Sequence, residues 1–221
     1  QDFHVIPTDT ISISIDKDAV LRSGIMLPDS IRHLKGKELK NAIPDKIYIS
    51  LKDMRILTMV DMLMLEMLAN CNWERPLYMA ISVGEVSKLK FDHYFVQEGL
   101  AFRFTPFDYK KWGNVKGDNN YAIDVERLYE NVMNRYKYGG LDTPGLYLDE
   151  TTLRTCYYHR RLFAQLAKEL IRQGDNTRAR KVLAYAEQAV PAYNVPEIYE
   201  SGSFDIAKAY AALGEKTKAM P

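Results

Sequence analysis

The sequence predicts an α+β protein. A small α/β sheet layer of about four strands, containing a βαβ unit, covers residues 1–110, and a region of α-helical hairpins covers 111–221. Three observations predict it. Short β-branched and aromatic runs flank one apolar stretch in the first half. Helical periodicity takes over after residue 125. Two later stretches, 40 positions apart, then carry the same pattern around a glycine.

The elements follow in chain order. "ISISI" (11–15) alternates apolar and polar residues, the period of a half-buried strand. Asp16 reads as the cap of a short helix ending near Gly24. Residues 28–45 carry prolines toward both ends and read as a loop with a short helix. "KIYISL" (46–51) is β-branched and aromatic, hence a strand. A Met-rich helix spans about 52–70. Within it, Met54 to Leu68 has 11 apolar residues in 15, together with Arg55, Asp61 and Glu66. A membrane span needs about 20 apolar residues, so this stretch reads as a core helix. Pro76 opens a strand running to about Val83. Strand, apolar helix and strand in succession give the expected βαβ unit. "GLAFRFTPF" (99–107) is a further strand, and the polar stretch 108–123 is a loop or a hairpin. Val125 to Tyr138 is a helix, and "TPG" (143–145) interrupts the pattern. Helices follow over Thr152 to Gln173, Thr177 to Ala189 and Ser203 to Leu213, and another begins at Lys216.

The self-similarity pairs Leu166 with Ile206, Ala167 with Ala207, Lys168 with Lys208, Gly174 with Gly214, Thr177 with Thr217 and Ala179 with Ala219. Glycine in the left-handed conformation ends a helix. Small residues let the partner helix approach, and such units bury a continuous core by stacking on neighbours. The pattern is tetratricopeptide-like, with repeats over about 152–190 and 203–221. The offset exceeds the usual period of about 34; the surplus falls in "PAYNVPEIYESGS" (191–203), an expected inter-repeat loop. Fewer than three repeats are visible, so another element must cap the stack.

Composition excludes some functions. The formal net charge is +1, which gives no electrostatic footprint for nucleic acid. Cys71 and Cys156 are too few for a disulfide framework and read as buried thiols. His4, His33, His93 and His159 lack metal-ligand spacing, so neither a metal nor a cofactor is expected. No phosphate-binding loop, HExxH or GxSxG motif is present, and no catalytic residue is assigned. The expected function is non-catalytic, with a protein partner or substrate bound through the helical repeats. "YYHRR" (157–161) offers Tyr157, His159 and Arg161 for a concave groove, and "NWERP" (72–76) offers Trp73 and Arg75 at a ligand surface. Each of these residues also has a packing explanation. The alternative is a carbohydrate-binding or glycan-processing site in the α/β half, near Trp73, Asp92 and Glu98. Asp92, Glu98 and Asp108 flank strand-like segments near Tyr94 and Arg103. Paired carboxylates serve glycoside chemistry, while charges at strand ends are ordinarily solvated.

"LANCNWERPLYMAISVG", "YFVQEGLAFRFTPF", "LYENVMNRYKYGG" and "LYLDE", followed by the repeat, resemble a known family. It is the C-terminal region of multi-span membrane proteins of Bacteroides-type bacteria, grouped as domain of unknown function 2723. The resemblance covers about residues 45–221, more loosely the part before. It implies a soluble tail on the periplasmic face of a bacterial membrane. The membrane-embedded N-terminal part of the same chain would resemble protein O-mannosyltransferases. No catalytic residue of that part has a matching position here. Gln1 as first residue, and an end inside a helical pattern, fit a piece of a longer chain. Periplasmic exposure would further allow a Cys71–Cys156 disulfide, and O-glycosylation at "DTI" (9–11) and "DSI" (29–31).

Overall fold

The structure is a computed structural model, and it describes residues 8–52, 54, 56–83, 89, 91–115 and 121–219. His4, Arg55 and positions 116–120 of the polar stretch lie outside the described residues. The chain divides into two compact units. The first comprises residues 1–97 and 101–124, the second 98–100 and 125–221. Residues 111–115 and 121–124 therefore belong with the first unit.

The first unit is built on two small sheets. Strand β1 (Thr10–Ser14) pairs antiparallel with β2 (Lys46–Ser50), in register from Thr10 opposite Ser50 to Ser14 opposite Lys46. Ile13, Ile47 and Ile49 point into the core, while Ser12, Ser14 and Tyr48 point outward, as the period of two demands. Asp16 caps α1 (Lys17–Arg22) by accepting hydrogen bonds from the backbone N–H groups of Asp18 and Ala19. A second short helix, α2 (Gly36–Ala42), leads into β2.

Helix α3 (Met59–Asn70) starts seven residues later than the apolar pattern implied, because Thr58 and Asp61 form a capping box there. Its burial also differs from the expected core helix: only Asp61 and Leu68 are buried. The second sheet contains β3 (Tyr78–Ala80), β4 (Phe95–Gln97), β5 (Ala101–Phe104) and β6 (Ala122–Ile123), in the order β3-β5-β4-β6. This topology corrects the βαβ expectation. β2 and β3 lie in different sheets, each paired antiparallel to another strand, so α3 is no crossover. The parallel pair is instead β4 with β6. Phe91, Tyr94, Phe95 and Trp73 surround the Phe104 ring with centroids 5.4–6.1 Å away, an aromatic cluster that closes the core.

The second unit is helical. α4 (Val125–Glu130) runs into a single π-helical turn, Asn131–Arg135. After a turn-rich segment come α5 (Glu150–Arg172), α6 (Asn176–Ala189), α7 (Ser203–Ala212) and α8 (Lys216–Ala219). α5 packs on α4, α6 and α7, and α7 packs on α8.

The two similar stretches share their turn atom by atom. After α5, Gly174 has φ +84°, its N–H donates to the Ile171 carbonyl, and the Asp175 N–H donates to Leu170. After α7, Gly214 has φ +80°, its N–H donates to Ala211, and Glu215 donates to Tyr210. Both are Schellman ends, in which a left-handed residue lets two N–H groups satisfy helix carbonyls. Ala179 and Leu166 are fully buried, as close packing of α6 on α5 requires. Among the described residues, no helix is long and apolar enough to cross a membrane.

Candidate functional site

The residues singled out from sequence have separate fates. Trp73 takes φ +60° in the tight turn after α3 and is buried. Its indole N–H donates to the Ser14 carbonyl at 2.8 Å and its ring stacks on Phe104. It is a core residue, so of its two readings the packing one holds and the ligand platform does not. Arg75 is exposed and shares with Trp73 a cavity of about 10 Å³, scarcely room for one water. Of the three carboxylates, Asp92 is exposed. Asp108 pairs with Lys111 at 3.1 Å, and Glu98 pairs with Arg127 at 2.7 Å. The Arg103 guanidinium donates to the Ser23 carbonyl. Cys71 and Cys156 are both free thiols, and burial raises the Cys156 pKa.

On α5 the pattern "YYHRR" resolves by helical rotation. Arg161 is exposed, donates to the Glu200 carbonyl and lies over the Tyr158 ring. Tyr157 is half-buried. The next residue inward, Arg160, was not singled out by the pattern, yet it is the buried cation. It donates to the carbonyls of Pro196 at 2.9 Å, Val190 at 3.1 Å and Val195 at 2.5 Å. It holds the loop between α6 and α7.

Two rings in contact with His159, those of Tyr136 and Tyr138, line a groove that the sequence did not reveal. The groove occupies about 480 Å³ and is walled by Tyr136, Tyr138 and Tyr185, with Lys137, Asn134 and Gln188 at its rim. The π turn positions two of its rings. The Tyr138 hydroxyl reaches back to donate to the Val132 carbonyl at 2.7 Å, and the Tyr136 hydroxyl accepts the Leu100 N–H at 2.9 Å. Glu98 fixes that segment, since its carbonyl accepts from the Asn131 side chain. A Cβ on Gly99 would lie 2.0 Å from the Tyr136 oxygen. Tyr138 stacks on Phe163 and meets Tyr185 edge-on. Burial, and then the neighbouring Tyr185, hold its phenol well above the usual range, so it stays protonated. The floor segment 140–142 is tied down by Asn194, which donates to the carbonyls of Leu141 and Thr143, and by Tyr193, which donates to Asp142. The only sequence signal was the tyrosine density of "NRYKYGG" (134–140).

The His159 ring lies edge-on to both Tyr136 and Tyr138, at 6.0 and 5.2 Å, and its Nδ1 is buried without a hydrogen-bond partner. Desolvation therefore lowers its pKa below 6.5. The unfolded chain takes up a proton first as pH falls. The stability held by neutral His159 is thus full above about pH 6.5 and is lost below it. His159→Phe is expected to shrink the drop in thermal midpoint between about pH 7.5 and about pH 5.5. An unchanged drop in melting curves would show that this ring does not sense pH.

The groove offers phenol hydroxyls, aromatic edges, one amine, two amides and one carboxylate, Asp142. It has no nucleophile–base pair and no carboxylate dyad. Among the described residues, no group of three or more His, Cys, Asp or Glu is arranged to hold a metal ion. The chain matches the family model described as TMEM260-associated domain 2, over residues 1–126. No curated protein and no solved structure matches it.

Proposed function

We propose that this chain, which belongs to the TMEM260-associated domain 2 family, is a non-catalytic accessory domain whose helical unit receives an extended protein segment. The family associates the domain with a TMEM260-type membrane protein. The finer reading makes it a periplasmic scaffold beside a membrane-embedded glycosyltransferase of the domain of unknown function 2723 type. Its tetratricopeptide-like helix pairs would hold a client for that enzyme.

The observation that carries the reading is the groove of about 480 Å³ with three tyrosine rings on its wall. Rigid aromatic rings with hydroxyl tips give contact area at low entropic cost. The rim supplies Lys137 and Gln188 to hydrogen-bond a peptide backbone. The wall is pre-formed, since Tyr136 and Tyr138 are pinned by Leu100 and Val132, so little ordering cost opposes binding.

A random peptide library displayed on phage tests this directly. Selected peptides are expected to bind the 221-residue chain and to lose about tenfold or more in affinity with Tyr185→Leu or Lys137→Glu. Circular dichroism would confirm that both variants fold. Selection of no peptide, or peptides indifferent to both substitutions, would falsify the reading. Binding on a glycan array that Tyr185→Leu abolishes would replace the peptide by a sugar.

A further inference from the structure

The two-stranded sheet of the first unit has one closed edge and one open edge. Its register is regular from Thr10 opposite Ser50 to Ser14 opposite Lys46. Bonds just beyond each end fix its phase. The Leu51 N–H donates to the Asp9 carbonyl at 2.8 Å, and the Ile15 N–H donates to the Asp45 carbonyl at 2.9 Å. In an antiparallel pair, alternate residues turn both backbone groups toward the partner strand. Residues 9, 11, 13 and 15 therefore bond to 51, 49, 47 and 45. The residues between them turn their groups to the outer edges. These are Thr10, Ser12 and Ser14 on β1, and Lys46, Tyr48 and Ser50 on β2.

The chain itself blunts the β1 edge. The Thr8 hydroxyl accepts from the Thr10 N–H at 3.3 Å and donates to the Thr10 carbonyl at 2.9 Å. The Trp73 indole takes the Ser14 carbonyl. The β2 edge has no such cover. Among the described residues, no hydrogen bond reaches the outward backbone groups of Lys46, Tyr48 or Ser50. Neither proline nor a bulge, two devices that protect a free edge, interrupts the strand. Tyr48 sits at its centre and is 65% exposed. The residue opposite it on β1 is Ser12, too small to cover the ring.

We propose that β2 pairs antiparallel with β2 of a second copy of this chain, about a two-fold axis at Tyr48. The two small sheets then become one continuous sheet in the order β1-β2-β2-β1. In this register Tyr48 faces Tyr48, and Lys46 faces Ser50 of the second copy. Each of these pairs exchanges two backbone hydrogen bonds, so every open group finds a partner. Three features select a second copy over a foreign strand. The open residues are symmetric about Tyr48, so a single two-fold operation satisfies both chains at once. Antiparallel pairing sets Lys46 against a neutral serine, whereas in-register parallel pairing would set lysine against lysine. A foreign strand is chosen by pockets for its alternate side chains, but Tyr48 is a projecting ring, and an equal ring across the strand matches it. The assembly also closes. Its outer edges are the two blunted β1 edges, so the sheet ends at two copies and does not grow into a fibre.

Sedimentation of the 221-residue chain across about 5–500 μM tests the assignment. A short strand pair is a small interface, so a reversible dimer with a midpoint in the micromolar range is expected. Tyr48→Pro removes the central N–H, which faces solvent in a single copy, and should leave the chain monomeric throughout. Ser50→Lys sets a lysine against Lys46 at both ends and should weaken association about tenfold. The Ser50 side chain is exposed and accepts the Lys52 N–H at a loose 3.4 Å, so the fold tolerates the change. Adding Lys46→Glu to Ser50→Lys turns both contacts into ion pairs and should restore association to within about threefold of the wild type. Circular dichroism checks each fold, and if Tyr48→Pro does not fold, the Ser50→Lys series decides alone. The proposal fails if the wild-type chain stays monomeric at the highest concentration, or if Ser50→Lys associates as tightly as the wild type. It also fails if Lys46→Glu does not rescue Ser50→Lys, since the strands would then not meet in this register. A monomeric wild-type chain that binds a displayed peptide, with the binding lost in Tyr48→Pro, would assign the edge to a foreign strand instead.

Discussion

Arg160→Met is expected to destabilise the helical unit by about 3–5 kcal/mol, the range seen when a buried charge network loses one member. The guanidinium is 2% exposed and meets three carbonyls, those of Val190, Val195 and Pro196. Val190 and Val195 are buried, and hydrogen bonds from a charged donor are worth about twice neutral ones. Methionine fills the volume but leaves those acceptors unpaired in an apolar interior, at about 1–3 kcal/mol each. Burial pulls the Arg160 pKa down while Glu197 acts the other way, and a guanidinium stays charged regardless. Arg160→Lys is expected to recover less than half of the loss, since an ammonium cannot reach carbonyls in separate directions. Arg161→Met, one residue further and exposed, should cost under about 1 kcal/mol. Urea unfolding followed by circular dichroism measures all three. A loss below about 1 kcal/mol in Arg160→Met would mean that the guanidinium does not hold the 190–196 loop.

Adjacent arginines with opposite roles show where sequence reasoning stops. Arg160 and Arg161 differ by about 100° of helical rotation, and nothing local says which one turns inward. What was legible was local chemistry. The Asp16 cap, the alternation in 11–15, the β-branched and aromatic run 46–51, and the glycine stops at 174 and 214 all appear near where the residues place them. Capping and left-handed glycine need only a few neighbouring residues to act. Strand pairing was not legible, because it depends on distant partners: β4 pairs with β6 across 24 residues of intervening sequence. The burial of α3 failed for a related reason. Counting apolar residues shows that a helix seeks an apolar phase, but not whether that phase is the protein's own core. The groove needed three tyrosines from two distant parts of the chain, Tyr136 and Tyr138 just after the π turn and Tyr185 on α6, and their meeting is purely tertiary.

Gly202→Ala is expected to cost about 3–4 kcal/mol, more than the same change at either helix-ending glycine. Gly202 has φ +88°, which alone costs an L-residue about 1–2 kcal/mol. A Cβ there would also lie 2.9 Å from Arg161 Cγ, 3.0 Å from its backbone N and 3.1 Å from its Cα. The side-chain carbon can yield, but the backbone of a 23-residue helix cannot, and overpacking of this kind adds about 1–3 kcal/mol. Gly174 and Gly214 have the same left-handed backbone, at φ +84° and +80°, with nothing within 4 Å of a built Cβ. Gly174→Ala and Gly214→Ala should therefore pay only the conformational part, about 1–2 kcal/mol each. Adding Arg161→Ala to Gly202→Ala separates the causes, because it removes Cγ and leaves N and Cα in place. Partial rescue is expected in urea unfolding; complete rescue would place the whole effect in the Arg161 side chain. Equal losses at all three glycines would show that α7 does not press against α5 at this point. The close approach matters because one turn of α5 then fixes the loop twice: Arg160 grips residues 190–196, and the Arg161 backbone bears on Gly202 at the start of α7. The long inter-helix connection, whose regular structure is one 3-10 turn at Tyr199–Ser201, is thereby held in place, and the two helix pairs can stack across a 40-residue spacing.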